Sequence, residues 1–164
     1  MSTSKVLVAY GTKNGSTAGI ADMIAATLMR EGVEAEARPA GTVRDVTPYR
    51  AVVLGGALYS GRWHGQARRF ARRHAAALRE RPVWLFSSGP LSEAADSADV
   101  PPVRAAAEAA RLLGAREHVT FGGRLTAESG GFVARAMLRN GRAGDWRNPE
   151  RIAEWAGKIA AELR

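Results

Sequence analysis

The densest chemistry in the chain lies near its start, in Gly11-Thr12-Lys13-Asn14-Gly15-Ser16-Thr17. These residues follow the apolar run Val6-Leu7-Val8-Ala9-Tyr10 and lead into a helical pattern. Glycine lets the backbone turn sharply where a strand stops, and the first amide N–H groups of the next helix have no partner within it. Hydroxyl and amide side chains at such a point form a cradle for an anion, phosphate above all. Two more stretches stand where strands should end. Gly56 to Gly65 is aromatic and glycine-rich, with Ala57, Leu58, Tyr59, Ser60, Trp63 and His64, whereas Ser87-Ser88-Gly89-Pro90-Leu91 is small. The three together suit a ligand with a phosphate at one end and a flat ring system at the other.

The residue pattern narrows which phosphate is meant. A Walker A loop needs Lys then Ser or Thr after its second glycine, and here Gly15 is followed by Ser16 and Thr17. The dinucleotide fingerprint Gly-x-Gly-x-x-Gly is absent, because Thr12-Lys13-Asn14 fills the middle of the loop. Arg38, at the end of a second strand, stays open as a partner for a 2′-phosphate. No His-Glu-x-x-His, Gly-x-Ser-x-Gly or carboxylate cluster points to hydrolysis, and no metal site is expected.

Placing three loops on one edge requires parallel strands, and the chain reads as β and α segments in alternation. Strand 1 is expected over Lys5 to Tyr10, and helix 1 over Thr17 to Glu31, with Ile20, Met23, Ile24 and Leu28 at helical spacing and Gly32 as its stop. Strand 2 is expected over Glu34 to Arg38, a short helical turn within Thr42 to Tyr49, and strand 3 over Ala51 to Gly56. One helix from Gln66 to Arg79 follows, then strand 4 over Pro82 to Phe86, a polar loop from Ser92 to Pro102, a helix over Val103 to Leu113 and strand 5 over His118 to Gly122. Gly123 to Trp146 breaks the alternation, and Asn148-Pro149-Glu150 opens a last helix with Ile152, Trp155, Ala156, Ile159 and Leu163 as its buried stripe. Ligands of such sheets bind outside the carboxyl ends of the strands, where the strand order reverses.

Length and composition are consistent with one domain over residues 1–164: 164 residues, 46% of them apolar, can build a core without staples. The absence of cysteine excludes disulfides, thiolate catalysis and cysteine-held metal centres. No signal-peptide core and no apolar run long enough for a membrane helix is present, so a cytoplasmic protein is expected. The net charge of +8, from 24 Lys plus Arg against 16 Asp plus Glu, favours an anionic partner. The arginines lack interleaved aromatics or a reading motif, so no specific nucleic acid is expected.

The loop Gly11 to Thr17 resembles the phosphate loop of the flavodoxins, Ser/Thr-x-Thr-Gly-x-Thr, with Asn14 in place of the central threonine. Gly56-Ala57-Leu58-Tyr59-Ser60-Gly61-Arg62-Trp63-His64 and the helix Phe70-Ala71-Arg72-Arg73-His74 are similar to the flavodoxin-type branch that contains the menaquinone-dependent protoporphyrinogen oxidases. The segment Gly123 to Trp146 resembles that branch's extra segment but is shorter and less aromatic. The resemblance implies an α/β, three-layer flavodoxin-like fold, a five-stranded parallel sheet in order 2-1-3-4-5 with helices on both faces, and FMN as cofactor. Carried over position by position, it implies that Thr12, Asn14, Gly15, Ser16 and Thr17 hold the 5′-phosphate while Lys13 points to solvent. Ala57, Leu58, Tyr59 and Ser60 then bound one side of the ring, with Tyr59 stacked on it, and Ser87, Ser88, Gly89 and Leu91 approach the other side.

No acidic residue occurs from Val46 to Arg79, whereas Arg50, Arg62, Arg68, Arg69, Arg72, Arg73 and Arg79 all do. A positive field beside a flavin favours the anionic reduced ring, so two-electron oxidoreductase chemistry is expected, with a small redox substrate or a quinone as partner. An electron-transfer module serving a redox protein, catalysing nothing itself, is the alternative, and a third reading keeps the fold without flavin. His64 is the candidate for proton transfer, and His74 reads as a core histidine. Gly130 to Arg142 is expected as a basic amphipathic turn, packed on the sheet edge, lying as a lid over the ring, or touching the inner face of a membrane.

Overall fold

The structure, a computed structural model, describes residues 5–11, 16–59, 62–89, 102–122, 124–125, 144–145 and 148–164. Five parallel strands lie in the order β2-β1-β3-β5-β6: β1 (Val6–Gly11), β2 (Ala35–Pro39), β3 (Ala51–Tyr59), β5 (Val83–Ser88) and β6 (Glu117–Phe121). This is the expected order with one addition. A short sixth strand, β4 (Arg62–Trp63), pairs antiparallel with the end of β3, Leu58 opposite Trp63 and Tyr59 opposite Arg62. The stretch expected as an open loop after strand 3 is therefore the far half of a hairpin.

Alternation along the strands sorts the core into two layers. Val6, Val8, Ala51, Val53, Trp84, Phe86 and Phe121 face one side, covered by α1 (Ser16–Arg30) and the last helix, α5 (Pro149–Leu163), through Ile20, Ile24, Leu28, Ile152, Trp155 and Ile159. Leu7, Ala9, Val52, Leu54, Val83 and Leu85 face the other, covered by α2 (Gly65–Arg73), α3 (Ala75–Leu78) and α4 (Arg104–Leu113). Strands buried on both faces lose the polar alternation of an exposed sheet, which is why they read as continuous apolar runs.

Helix ends follow local chemistry. α1 and α4 stop at Gly32 and Gly114, whose φ values of 85° and 63° are left-handed, and the residues after them close back: Val33 N–H donates to Leu28 O and Ala115 N–H to Ala110 O, each at 2.9 Å. Asn148 caps α5, its Oδ1 accepting from Arg151 N at 3.2 Å, with Pro149 and Glu150 in the first turn. Asn148→Ala is expected to cost about 1 kcal/mol. A urea midpoint equal to the wild-type value would show that α5 needs no cap.

The segment expected as one helix from Gln66 to Arg79 is two. α2 and α3 meet at His74, whose φ of −107° and ψ of 16° leave the helical region, although main-chain bonds continue through it (His74 N–H to Phe70 O at 3.0 Å, Leu78 N–H to His74 O at 2.9 Å). His74 is buried, its ring 4.7 Å from that of Phe70. No α-helical turn forms within Thr42 to Tyr49; a single 3₁₀ turn, Ala40–Thr42, precedes that stretch, and Val43, Val46 and Tyr49 fold into the core beneath α2. In the tail, β7 (Arg124–Leu125) pairs antiparallel with β8 (Gly144–Asp145) apart from the main sheet. The stretch Gly130 to Arg142 and the loop Ser92 to Pro101 lie outside the described residues.

Candidate functional site

The strands' carboxyl ends come level in one row. Gly11 is in register with Gly56, Gly56 with Ser87, and Ser87 with Thr120; one step further, Ala57 pairs with Ser88 and Ser88 with Phe121. The three stretches singled out from the sequence thus meet on one edge, each one strand from the next. Thr12, Lys13, Asn14, Gly15, Ser60 and Leu91 lie outside the described residues. Ser16 opens α1 and Tyr59 ends β3.

The row is built by close approach. A Cβ on Gly11 would lie 2.9 Å from His64 Nδ1 and 3.0 Å from Ala67 N, so the end of β1 is pressed against the first turn of α2. On β3 two successive glycines clear space on opposite faces: a Cβ on Gly55 would lie 2.0 Å from Phe86 Cζ, and one on Gly56 2.5 Å from Trp63 Nε1. Trp63, 2% exposed, is a core residue that roofs Gly56. Gly89 has a φ of 113°, which only glycine adopts without strain, and its N–H donates to Phe121 O at 2.8 Å. A Cβ there would sit 3.4 Å from Leu58 Cβ, so the β5 turn and the β3 hairpin touch through Leu58.

Thr17 stands in the first turn of α1, fully buried, and its Oγ1 has no hydrogen-bond partner among the described residues. A buried hydroxyl left unpaired is costly, and its neighbours at that helix end are the unpaired N–H groups of the first turn. Ser87 and Ser88 are both buried at the end of β5. Ser87 Oγ lies 2.8 Å from His118 Nε2, so Ser87 turns inward to the face covered by α2 and α4. Burial of the imidazole lowers the pKa of His118 to about 4, and the ring is neutral at physiological pH.

His64 has a structural task. It is the N-cap of α2, Nδ1 accepting from Gln66 N–H at 3.2 Å, and its own N–H donates to Ala57 O at 2.9 Å. Burial, then the nearby Arg69, lower its pKa, which keeps Nδ1 free to accept. Sequence reasoning missed His118, which it took only as the start of a strand. The signal was the period of two in His118 and Thr120, polar residues sharing one face of an otherwise apolar strand. Among the described residues no group of His, Asp and Glu could hold a metal ion, and no helix is long and apolar enough to cross a membrane.

The sequence is 27% identical over 85 residues to the protoporphyrinogen IX dehydrogenase [quinone] of Escherichia coli K12, a match covering 51% of this chain and 47% of that protein. The chain thus spans about half the length of the curated relatives it matches. Among solved structures the fold resembles a flavodoxin from the domain Archaea (TM-score 0.65, 14% identity, 97% of this chain and 98% of the other). It also resembles flavodoxin 2 of Bacillus cereus (TM-score 0.62, 21% identity, 98% and 99%) and rubredoxin oxygen:oxidoreductase of Desulfovibrio gigas (TM-score 0.67, 14% identity, 98% of this chain and 36% of that one). At such identities the likeness is one of fold. The sequence profile of the flavodoxin domain matches residues 7–147, from the first strand to the approach of α5, and the chain belongs to that family.

Proposed function

We propose that the chain binds FMN and acts as a small two-electron oxidoreductase that passes electrons to a quinone, with a protoporphyrinogen as the substrate that the Escherichia coli relative suggests. The observation that carries the reading is Thr17, a fully buried hydroxyl in the first turn of a 15-residue helix with no partner among the described residues. A phosphate monoester supplies the acceptor such a donor lacks, and the helix dipole favours its charge. Bound FMN would supply reversible acceptance of two electrons at its ring. Thr12, Asn14, Gly15, Ser16 and Thr17 would hold the phosphate, with Lys13 turned to solvent; Ala57, Leu58, Tyr59 and Ser60 would bound the ring on one side and Ser87, Ser88, Gly89 and Leu91 on the other. Of these, the Ser87 hydroxyl is held by His118 and the Gly89 N–H by Phe121 O.

The basic stretch from Arg62 to Arg73 favours an anionic reduced ring and so a higher potential than an acidic carrier would have. Such a protein works in the cytoplasm. His64, as a helix cap, is kept as a residue that shapes the site and not as a proton donor.

Thr17→Val makes the test sharp because its two effects have opposite signs. Without ligand, the variant loses an unsatisfied buried hydroxyl and should be as stable as wild type or more so; with ligand, FMN affinity measured by flavin fluorescence should fall about ten-fold or more. Unchanged affinity would take Thr17 out of the site, and a wild-type protein that binds no FMN would end the reading. Anaerobic reoxidation of the reduced, FMN-loaded protein by a menaquinone analogue then separates the oxidoreductase from an electron carrier, which would react with a redox protein only.

A further inference from the structure

Most arginines elsewhere in the described structure have partners, with Arg44, Arg62 and Arg111 as scattered exceptions. Arg81 donates to Val46 O at 2.7 Å, Arg79 to Leu112 O at 3.0 Å and Arg151 to Thr120 O at 2.6 Å, while Arg116 and Arg164 pair with Glu162 and Glu31 at 3.1 and 3.2 Å. α2 is different. Arg68, Arg69, Arg72 and Arg73 are all exposed, and among the described residues none has a hydrogen-bond or ion-pair partner. Their spacing puts them on one side of the helix, opposite the buried Ala67, Phe70 and Ala71. Like charges at i and i+4 repel, so Arg68 with Arg72 and Arg69 with Arg73 work slightly against the helix that carries them. No described residue answers them.

We infer that the outer face of α2 is a docking surface for an anionic lipid membrane, which holds the sheet's carboxyl edge against the bilayer. This rests on the quinone-linked reading above, since a quinone acceptor is dissolved in lipid. Two observations favour a bilayer over a protein. The centre of a protein interface is built from aromatic and aliphatic side chains with charges depleted, and the exposed positions of α2 are arginine alone, followed only by Ala76 on α3. A lipid surface instead presents phosphate at high density without a matching pattern, which is what a bare row of guanidinium groups can use. Location supplies the second. α2 begins at the site, with His64 and Ala67 packed on Gly11, so a plane lying on this face borders the edge where the ring would sit.

Each basic residue near an anionic bilayer multiplies partitioning roughly five-fold, and the gain fades beyond a Debye length. Four arginines therefore give several hundred-fold at low salt. The test is co-sedimentation of FMN-loaded protein with vesicles of phosphatidylglycerol mixed into phosphatidylcholine, against vesicles of phosphatidylcholine alone. Capture is expected only on the anionic vesicles, lost in molar salt, and several hundred-fold weaker for the quadruple variant Arg68→Gln, Arg69→Gln, Arg72→Gln and Arg73→Gln. The pair Arg104→Gln with Arg111→Gln, exposed on α4, should bind as wild type does. Equal capture of the quadruple variant and wild type would overturn the inference, as would a wild-type preference for a double-stranded DNA fragment over the anionic vesicles. The two readings fail separately: turnover of a water-soluble quinone without vesicle capture ends the docking surface alone, and vesicle capture by a protein that cannot bind FMN ends the redox reading alone.

Discussion

A Gly55→Ala chain is expected to lose about 3 kcal/mol of stability, and with it some 6–12 °C in Tm. The added Cβ would meet three atoms of Phe86 at once, Cζ at 2.0 Å, Cε1 at 2.3 Å and Cε2 at 2.4 Å. The ring has no room to withdraw. Phe86 is fully buried, with the Phe121 ring centroid 6.1 Å away and that of Trp155 at 6.2 Å, and those two rings pack edge-on at 5.5 Å. Relief must come from the backbone of β3 or from the seat of α5, which carries Trp155. A second substitution checks the cause. Phe86→Leu removes the far end of the ring, so the double variant should be more stable than the sum of the two single losses predicts, by about 1 kcal/mol or more. Additive losses would mean that the contact is not what limits position 55.

Acid is the second large lever. The imidazole of His118 has an ordinary pKa of 6.5 in the unfolded chain, and burial lowers it to about 4 in the folded one. Above pH 6.5 the ring is neutral in both states and contributes nothing to the pH dependence. As pH falls from 6.5 toward 4, the unfolded chain takes up the proton while the folded chain does not, so stability drops by on the order of 2–3 kcal/mol across that window. Burial also lowers the pKa of His64 and of His74, assisted by Arg69 and by Arg73, and both losses have the same sign. Chemical denaturation at pH 7.5, 5.5 and 4.5 should show the decline, and His118→Gln should flatten it. A chain as stable at pH 4.5 as at pH 7.5 would contradict the burial of these rings.

The parallel sheet was legible because its strands are apolar runs punctuated by glycine and proline, a signal that survives burial on both faces. Strand ends were less so. Strand 4 was expected to stop at Phe86, yet β5 continues through Ser87 and Ser88, because a hydroxyl side chain pairs into a ladder as readily as it forms a turn. β4 was hidden for a related reason: only two residues long, it owes its existence to Trp63 seeking the space above Gly56. Gly55 and Gly56 read as the last residues of strand 3, and each is also a socket for an aromatic residue that arrives later in sequence. The candidate site was legible in its location, since all three loops meet on one edge. It was not legible in its wiring: that His64 caps a helix, or that Ser87 bonds His118, depends on which face each side chain takes once the strands are in register.

The pairing of α5 with α1 bears on how the chain becomes a protein as it is made. α5 leaves a ribosome more than a hundred residues after α1, yet Ile20, Ile24 and Leu28 are covered by Ile152, Trp155 and Ile159. Arg164 closes the circuit on Glu31 across 133 residues, and the Arg50 guanidinium binds the carbonyl of Leu163. Until that helix emerges, one side of the sheet is an open apolar wall, and contacts this distant in sequence form slowly. A nascent chain therefore stays sticky for the whole interval between the synthesis of α1 and that of α5, and the ribosome-bound intermediate, more than the finished fold, is the species that needs a chaperone.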